Sequence, residues 1–388
     1  MTAGTCAGGV QGVDQQEMAE TNSNTTIHDA KADERTHPTP VVSGDRCVHG
    51  RSPIANCRAC VSVCPRMAFS LDDDGLGFDV EACDGCGLCE AVCPEAAIDM
   101  EAHVARPLRQ ASAGDRAFLA CEYCIGPTQA ARVTCLHAVS LSTLVKLHNQ
   151  GVRTLFSASA DCSACPRNVM TTLRDRVADL ARLTQDRGLA PMKLEALALT
   201  DWKNVRDEAG RMSRRSLFRA AFKSSRPAVD CHPDAPSADG AGTFDHPQTS
   251  EDDPPPGAAA QLAQRDKATL SMMVPLLDPQ VCVACGACIE VCAHGVIKLT
   301  GIDERAPRYE VDAIGCTGCG LCADSCDVDA IALQAWGAAS PAPILLHHGR
   351  CRSCSSPFFT VADHATGTDL CRICAQKNGN NKLFQVLP

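Results

Sequence analysis

Cysteine is the residue through which this chain can do chemistry, and its spacing says which chemistry. Of 388 residues 27 are cysteine, and most stand in tight groups. Cys83, Cys86, Cys89 and Cys93, the last followed by Pro94, form a full C-x2-C-x2-C-x3-C-P run. The same spacing recurs at Cys282, Cys285, Cys288 and Cys292, and again at Cys316, Cys319, Cys322 and Cys326. Thiols so close on one loop converge on a metal or cluster, whereas disulfide partners are scattered. Runs of this spacing hold [4Fe–4S] cubanes. Gly85, Gly87, Gly286, Gly318 and Gly320 are small enough to bring backbone N–H groups to the sulfides. Such donors stabilise added negative charge and raise the potential. A zinc ribbon would instead use two pairs about 15 residues apart.

A fourth run is irregular: Cys47, nine residues, then Cys57, Cys60 and Cys64 before Pro65. Regular spacing would put its first ligand at Ile54, which cannot ligate. Cys47 is the nearest upstream thiol and is assigned with a longer loop; His49 and a three-iron cluster are the alternatives. Cys121, Cys124, Cys135, Cys162 and Cys165 form a third kind of group, at expected strand ends and just before a helix expected to begin near Pro166. They suit a further cluster, a zinc ion or, at a helix N-terminus that lowers a thiol's pKa, a redox dithiol. Cys351 and Cys354, then 16 residues, then Cys371 and Cys374 fit a zinc ribbon, though rubredoxin-type iron would use the same ligands. Zinc is the expected metal, because few aromatics are at hand to shield iron. Cys6 and Cys231 stand alone in polar segments.

The elements that must position these thiols follow from composition. Residues 1–44 read as a disordered tail and 45–104 as the first cysteine-dense module. Residues 105–226 alternate short strands (near Ala117–Cys121, Arg132–Cys135 and Val152–Ser157) with helices (near Val139–Gln150, and through Val169, Leu173, Val177 and Leu180), and end in a basic helix. Residues 227–270, rich in Pro, Asp, Gly and Ala, read as a linker. Residues 271–336 form the second dense module and 337–388 a ribbon-like tail. The expected fold class is α+β: two ferredoxin-like dicluster modules, a β/α middle domain and a small C-terminal zinc-ribbon-like module. The formal net charge of −10 argues against a nucleic-acid partner and suits either a basic docking patch or simple solubility. No run of about 18 apolar residues is present, and the polar N-terminus lacks an export-signal core. With the clustered thiolates this implies a reducing compartment, the cytoplasm.

The three regular runs resemble the bacterial two-cluster ferredoxins, over about a third of the chain. The resemblance implies crossed ligation: Cys47, Cys57, Cys60 and Cys93 on one cluster, and Cys83, Cys86, Cys89 and Cys64 on the next. It likewise implies a third on Cys282, Cys285, Cys288 and Cys326, and a fourth on Cys316, Cys319, Cys322 and Cys292. The sequence departs from the family at Ala293 and Asp327, where proline is usual, and Asp327 would lower the potential of a nearby cluster. The middle cysteines loosely resemble the delta subunit of the non-F420-reducing hydrogenase of methanogens, an iron–sulfur adaptor, which implies a further cluster, [2Fe–2S] in type. Ser213-Arg214-Arg215-Ser216-Leu217-Phe218-Arg219 is similar to a string that precedes the cluster motifs of the accessory ferredoxin of periplasmic nitrate reductase, which implies either a partner-docking helix or only a basic helix end.

No dinucleotide fingerprint or catalytic triad order is present. The expectation is therefore an electron carrier rather than an enzyme, passing single electrons between redox partners as a wire or adaptor subunit of an oxidoreductase. A maturation ferredoxin for a molybdoenzyme is the alternative.

Overall fold

The computed structural model describes residues 38–72, 75–100, 104–125, 131–167, 172–223, 256–362 and 369–379. Cys6, Cys231, Val169, most of the N-terminal tail and residues 227–255 of the linker lie outside them. The string Ser213–Arg219 falls in a helix, Leu199–Lys223, whose side chains from 212 onward are also outside the described residues.

The two dicluster modules repeat one plan. In the first, Val41–Val42 pairs antiparallel with Ile98–Asp99, and a hairpin joins Phe69–Asp72 to Gly75–Phe78. In the second, Leu270–Leu277 pairs antiparallel with Ile331–Ala338, and a hairpin joins Ile297–Thr300 to Arg308–Val311. Between strands run helices of one turn, Ala59–Val63, Leu88–Val92, Ala287–Glu290 and Leu321–Asp324. Three of these helices start from a glycine in the left-handed region: Gly87 (φ 80°), Gly286 (φ 81°) and Gly320 (φ 88°). At Gly87 a Cβ would also meet the Ala138 methyl at 3.1 Å, so no side chain is accommodated there.

Residues 105–223 fold as a parallel β/α unit. Its four strands lie in the order Arg132–Val133, Arg116–Cys121, Thr154–Ala158, Lys193–Ala196, all parallel. Both faces are covered, as a parallel sheet requires. On one face Leu119 and Leu155 pack with Leu144, Leu147, Leu180 and Leu183 of helices Leu141–Asn149 and Leu173–Asp186. On the other, Phe118 and Phe156 stack with centroids 5.3 Å apart, and Trp202 meets Phe118 edge-on at 6.2 Å. Trp202 Nε1 donates to the Phe156 carbonyl at 3.1 Å, so the buried indole leaves no polar atom unsatisfied.

The three units are joined. Residues 256–270, linker-like in composition, are packed: Ala258–Gln261 is a helical turn, and Ala259 and Leu262 enter the core of the β/α unit. Alanine and leucine outweigh the neighbouring prolines here because a hydrophobic slot awaits them. Arg187 donates to the Leu183 and Ala259 carbonyls, and Asp186 accepts from the Thr269 and Leu270 amides. The C-terminal tail continues the second module's sheet, with Ile344–Arg350 pairing with Arg308–Val311 on one side and Pro357–Val361 on the other. The architecture is thus α+β, with two dicluster modules, a parallel middle sheet and a C-terminal four-cysteine group. No helix among the described residues is long and apolar enough to cross a membrane.

Trp202→Ala is expected to destabilise the β/α unit by about 3–5 kcal/mol, read as a lower urea midpoint for loss of hydrogen-exchange protection in the strands Arg116–Cys121 and Thr154–Ala158.

Candidate metal centres

In the first module Cys47, Cys57, Cys60 and Cys93 line one cavity, walled by Val42, Leu76 and Ile98. Burial pushes the Cys60 thiol up to about 12, helped by the nearby Cys93, Cys57 and Cys47. Cys47 reaches this cavity because the irregular spacer winds into a helical turn, Val48–Arg51, and Ile54 turns out to solvent. His49 also lines this cavity, its Nε2 lying 2.7 Å from the Cys57 carbonyl. The companion group is Cys83, Cys86 and Cys89 with Cys64: burial raises the Cys89 thiol, and Cys86, Cys83 and Cys64 add to the rise.

The second module repeats the arrangement. Cys282, Cys285, Cys288 and Cys326 line a cavity closed by Leu277, Tyr309 and Ile331. Burial, with crowding by Cys316, Cys319 and Cys292, pushes Cys322 up to about 12. Thiols held this way are poor thiolates until a metal supplies positive charge, so the chain's chemistry is that of a ligand set.

One device recurs in all four half-modules and was not read from the sequence. The amide four residues after the last cysteine of each run donates to that sulfur: Ala68 to Cys64 at 3.3 Å, Ala97 to Cys93 at 3.2 Å, Val296 to Cys292 at 3.4 Å and Ala330 to Cys326 at 3.2 Å. The preceding residue is left-handed each time: Met67, Ala96, Gly295 and Asp329, with φ between 48° and 56°. The signal available was a small or β-branched residue at that fourth position; only Gly295 marks the turn in the usual way.

The modules abut through their cysteine loops. Glu95, fully buried two residues after Cys93, accepts from Arg51 Nη2 at 2.8 Å and Thr317 Oγ1 at 2.5 Å, with His294 Nε2 at 3.1 Å. Burial acts to raise the Glu95 carboxyl, but these partners outweigh it and hold the group below the usual glutamate range. His294 and Thr317 each stand next to a cysteine loop of the second module. Asp324 accepts from the backbone and side chain of Asn56 at 2.9 and 3.2 Å. Sequence reasoning missed this seam because its members are far apart in the chain.

In the β/α unit Cys121, Cys135, Cys162 and Cys165 line one pocket with Tyr123, Thr134, His137 and Arg167. It sits beyond the carboxyl ends of the parallel strands, where such sheets place their ligands. Cys124 is turned away, its Sγ donating to the carbonyls of Cys121 at 3.2 Å and Ala158 at 3.3 Å. The helix expected near Pro166 begins instead at Leu173, behind a capping box of Thr172 and Asp175, so neither Cys162 nor Cys165 sits at its N-terminus.

Among the described residues, the group whose ligand atoms all lie within 4.8 Å of one another is Cys351, Cys354, Cys371 and Cys374, the spacing of a single tetrahedral ion. Backbone amides of Cys354 and Cys371 lower the Cys351 thiol to about 6, whereas the neighbouring thiols raise Cys374 to about 11. Arg372 forms an ion pair with Asp327, which ties this site to the loop of Cys326 and offsets the charge that Asp327 would bring.

The fold and these cysteine groups define an iron–sulfur protein. Residues 55–98 and 281–330 each match a 4Fe-4S dicluster domain. An uncharacterised ferredoxin of Methanocaldococcus jannaschii is 34% identical over 15% of this chain and 75% of its own length. The chain belongs, through these segments, to the dicluster ferredoxins. It is also similar to pyruvate synthase subunit PorD of Methanothermobacter marburgensis (37% identical, 16% of this chain, 64% of that protein) and to pyruvate-flavodoxin oxidoreductase of Trichormus variabilis (31% identical, 16% and 7%). The chain thus spans under two thirds of the length of PorD and a small fraction of the oxidoreductase.

Glu95→Ala is expected to leave Arg51 and His294 facing each other across the seam, at a cost of about 3–5 kcal/mol. Faster hydrogen exchange in residues 48–57 and 316–324, with iron content unchanged, would register it.

Proposed function

We propose that this chain is a multi-centre electron carrier, a wire or adaptor subunit that passes single electrons between a redox protein and an oxidoreductase in a reducing compartment, the cytoplasm. Cys47, Cys57, Cys60 and Cys93 hold one [4Fe–4S] cluster, and Cys64, Cys83, Cys86 and Cys89 a second. Cys282, Cys285, Cys288 and Cys326 hold a third, and Cys292, Cys316, Cys319 and Cys322 a fourth. Bound clusters supply one-electron redox chemistry; the protein's part is to fix their order, shield them and set their charge environment.

The observation that carries this reading is the Glu95 seam. Through it the group containing Cys57 faces the group containing Cys316 and Cys319, so both modules form one series instead of two separate carriers. The β/α unit extends the series at the other side, where Cys86, Cys121 and Cys135 share a hydrophobic core. Cys121, Cys135, Cys162 and Cys165 there hold a fifth centre, [2Fe–2S] in type, and Cys124 takes no part. No three of their sulfurs meet the spacing that the C-terminal group shows, which favours a cluster over a single zinc ion. Zinc belongs in the C-terminal group, whose sulfurs converge on one point. The relatives named for pyruvate synthase and pyruvate-flavodoxin oxidoreductase support an oxidoreductase as partner.

Anaerobic iron, sulfide and zinc analysis, with EPR of the dithionite-reduced chain, tests the reading. About 16 irons are expected from the two modules and about 2 from the middle centre, with one zinc. Iron near 8 would mean that one module carries no clusters, and the series would be broken. Cys135→Ser should lose only the iron of the middle centre and its EPR signal, while Cys124→Ser keeps both. Equal loss in the two variants would overturn the assignment of the middle ligands.

A further inference from the structure

Between the second cluster site of the first module and the middle centre lies a buried guanidinium. Arg167 follows Cys165 by two residues, lines the middle pocket and is only 6% exposed. Its Nε donates to Asp84 Oδ2 at 2.9 Å and its Nη2 to the Asp84 carbonyl at 3.2 Å. Asp84 stands between Cys83 and Cys86. The other side of the fork reaches the opposite loop: Nη1 donates to Glu122, between Cys121 and Cys124, and to the Thr134 carbonyl at 3.1 Å. The guanidinium also lies 5.2 Å from the centroid of the Tyr123 ring. Thr134 completes the bridge, its hydroxyl donating to the Cys86 carbonyl at 3.0 Å. One planar group thus touches a loop of each cysteine set, and lysine has no fork with which to do the same.

We propose that Arg167 is the positioning residue of this junction: it locks the two ligand loops at a fixed separation and raises the reduction potential of both centres. The inference rests on the reading of Cys121, Cys135, Cys162 and Cys165 as a redox centre. Its physical basis is charge balance. Arg167 and Arg132 offset Asp84 and Glu122, Arg132 holding the second Glu122 oxygen at 2.7 Å. With Arg167 removed, two carboxylates face one cation, and the added negative charge disfavours an arriving electron at either centre. An electron crossing the junction leaves one centre and arrives at the other with no proton exchanged, because the guanidinium stays protonated throughout.

The test is EPR-monitored redox titration of the full chain with its metals in place, on wild type, Arg167→Gln, Arg167→Lys and Glu122→Gln. Arg167→Gln should move the potentials of the middle centre and of the cluster on Cys64, Cys83, Cys86 and Cys89 to more negative values. The cluster on Cys282, Cys285, Cys288 and Cys326, at the far end of the series, should stay where it is. Arg167→Lys should restore most of the shift, because it keeps the charge. Glu122→Gln should shift the middle centre the opposite way, whereas simple loosening would move both variants in one direction. If Arg167→Gln loses iron, the contrast between Arg167→Lys and Glu122→Gln carries the test alone. Wild-type iron no higher than the two modules require would overturn the middle centre, and the junction with it. Full wild-type iron with potentials unmoved by the variants, or all moved together, would overturn the role of Arg167 alone.

Discussion

Small modules with many thiols and few aromatic rings face a constraint that shapes the whole molecule: their sulfurs must be buried, yet must face one another across a space that apolar side chains leave free. The chain has ten phenylalanines, two tyrosines and two tryptophans in 388 residues. In the first module Phe69 and Phe78 supply the only ring pair among the described residues, and Cys60 and Cys89 are themselves among the buried members of its core. The ligand set therefore doubles as packing material. Metal binding and folding become one event in such modules, since crowded neutral thiols are a poor substitute for thiolates around positive charge. The β/α unit is built the other way, from Leu, Val, Phe and Trp around a parallel sheet.

The units meet through apolar contacts, Leu88 against the β/α core and Val48 against Leu321, and through charged side chains set beside them: Glu95 of the first module toward the second, Arg167 of the β/α unit toward Asp84, and Asp186 of the β/α unit toward Thr269 and Leu270. Buried charges demand complete partnering, and each of these has several partners. Replacing them by apolar groups would stabilise less specifically, because an apolar contact does not fix angle or register.

How much of this was legible in the sequence depended on whether the signal was local. The regular runs were legible because crossed clusters need three cysteines on one loop, and that need is written in adjacent residues. The parallel strands near Arg116, Arg132 and Thr154 were legible from alternating short apolar runs and helical periodicity. The spacer after Cys47 was legible only by exclusion, since nothing local says that Val48–Arg51 winds up to bring that thiol back. Cys124 looks identical to Cys121 in sequence; only the neighbouring carbonyls of Cys121 and Ala158 decide that it points away. Glu95, His294 and Thr317 are ordinary polar residues until three distant loops meet. The packed stretch after Pro256 was hidden by its prolines and alanines, because composition reports on flexibility but not on a waiting hydrophobic slot.

The repeated turn after each fourth cysteine has a consequence for how such chains can vary. An amide must be present at Ala68, Ala97, Val296 and Ala330, so proline is barred from those four positions whatever else drifts around them. The preceding position must tolerate a left-handed backbone, which discourages branched side chains there. Substitution is thus confined on the far side of each run, where no cysteine advertises the limit. A loop that has lost its regular spacing on the near side, as the one around Cys47 has, keeps the same limit beyond its last cysteine, at Met67 and Ala68.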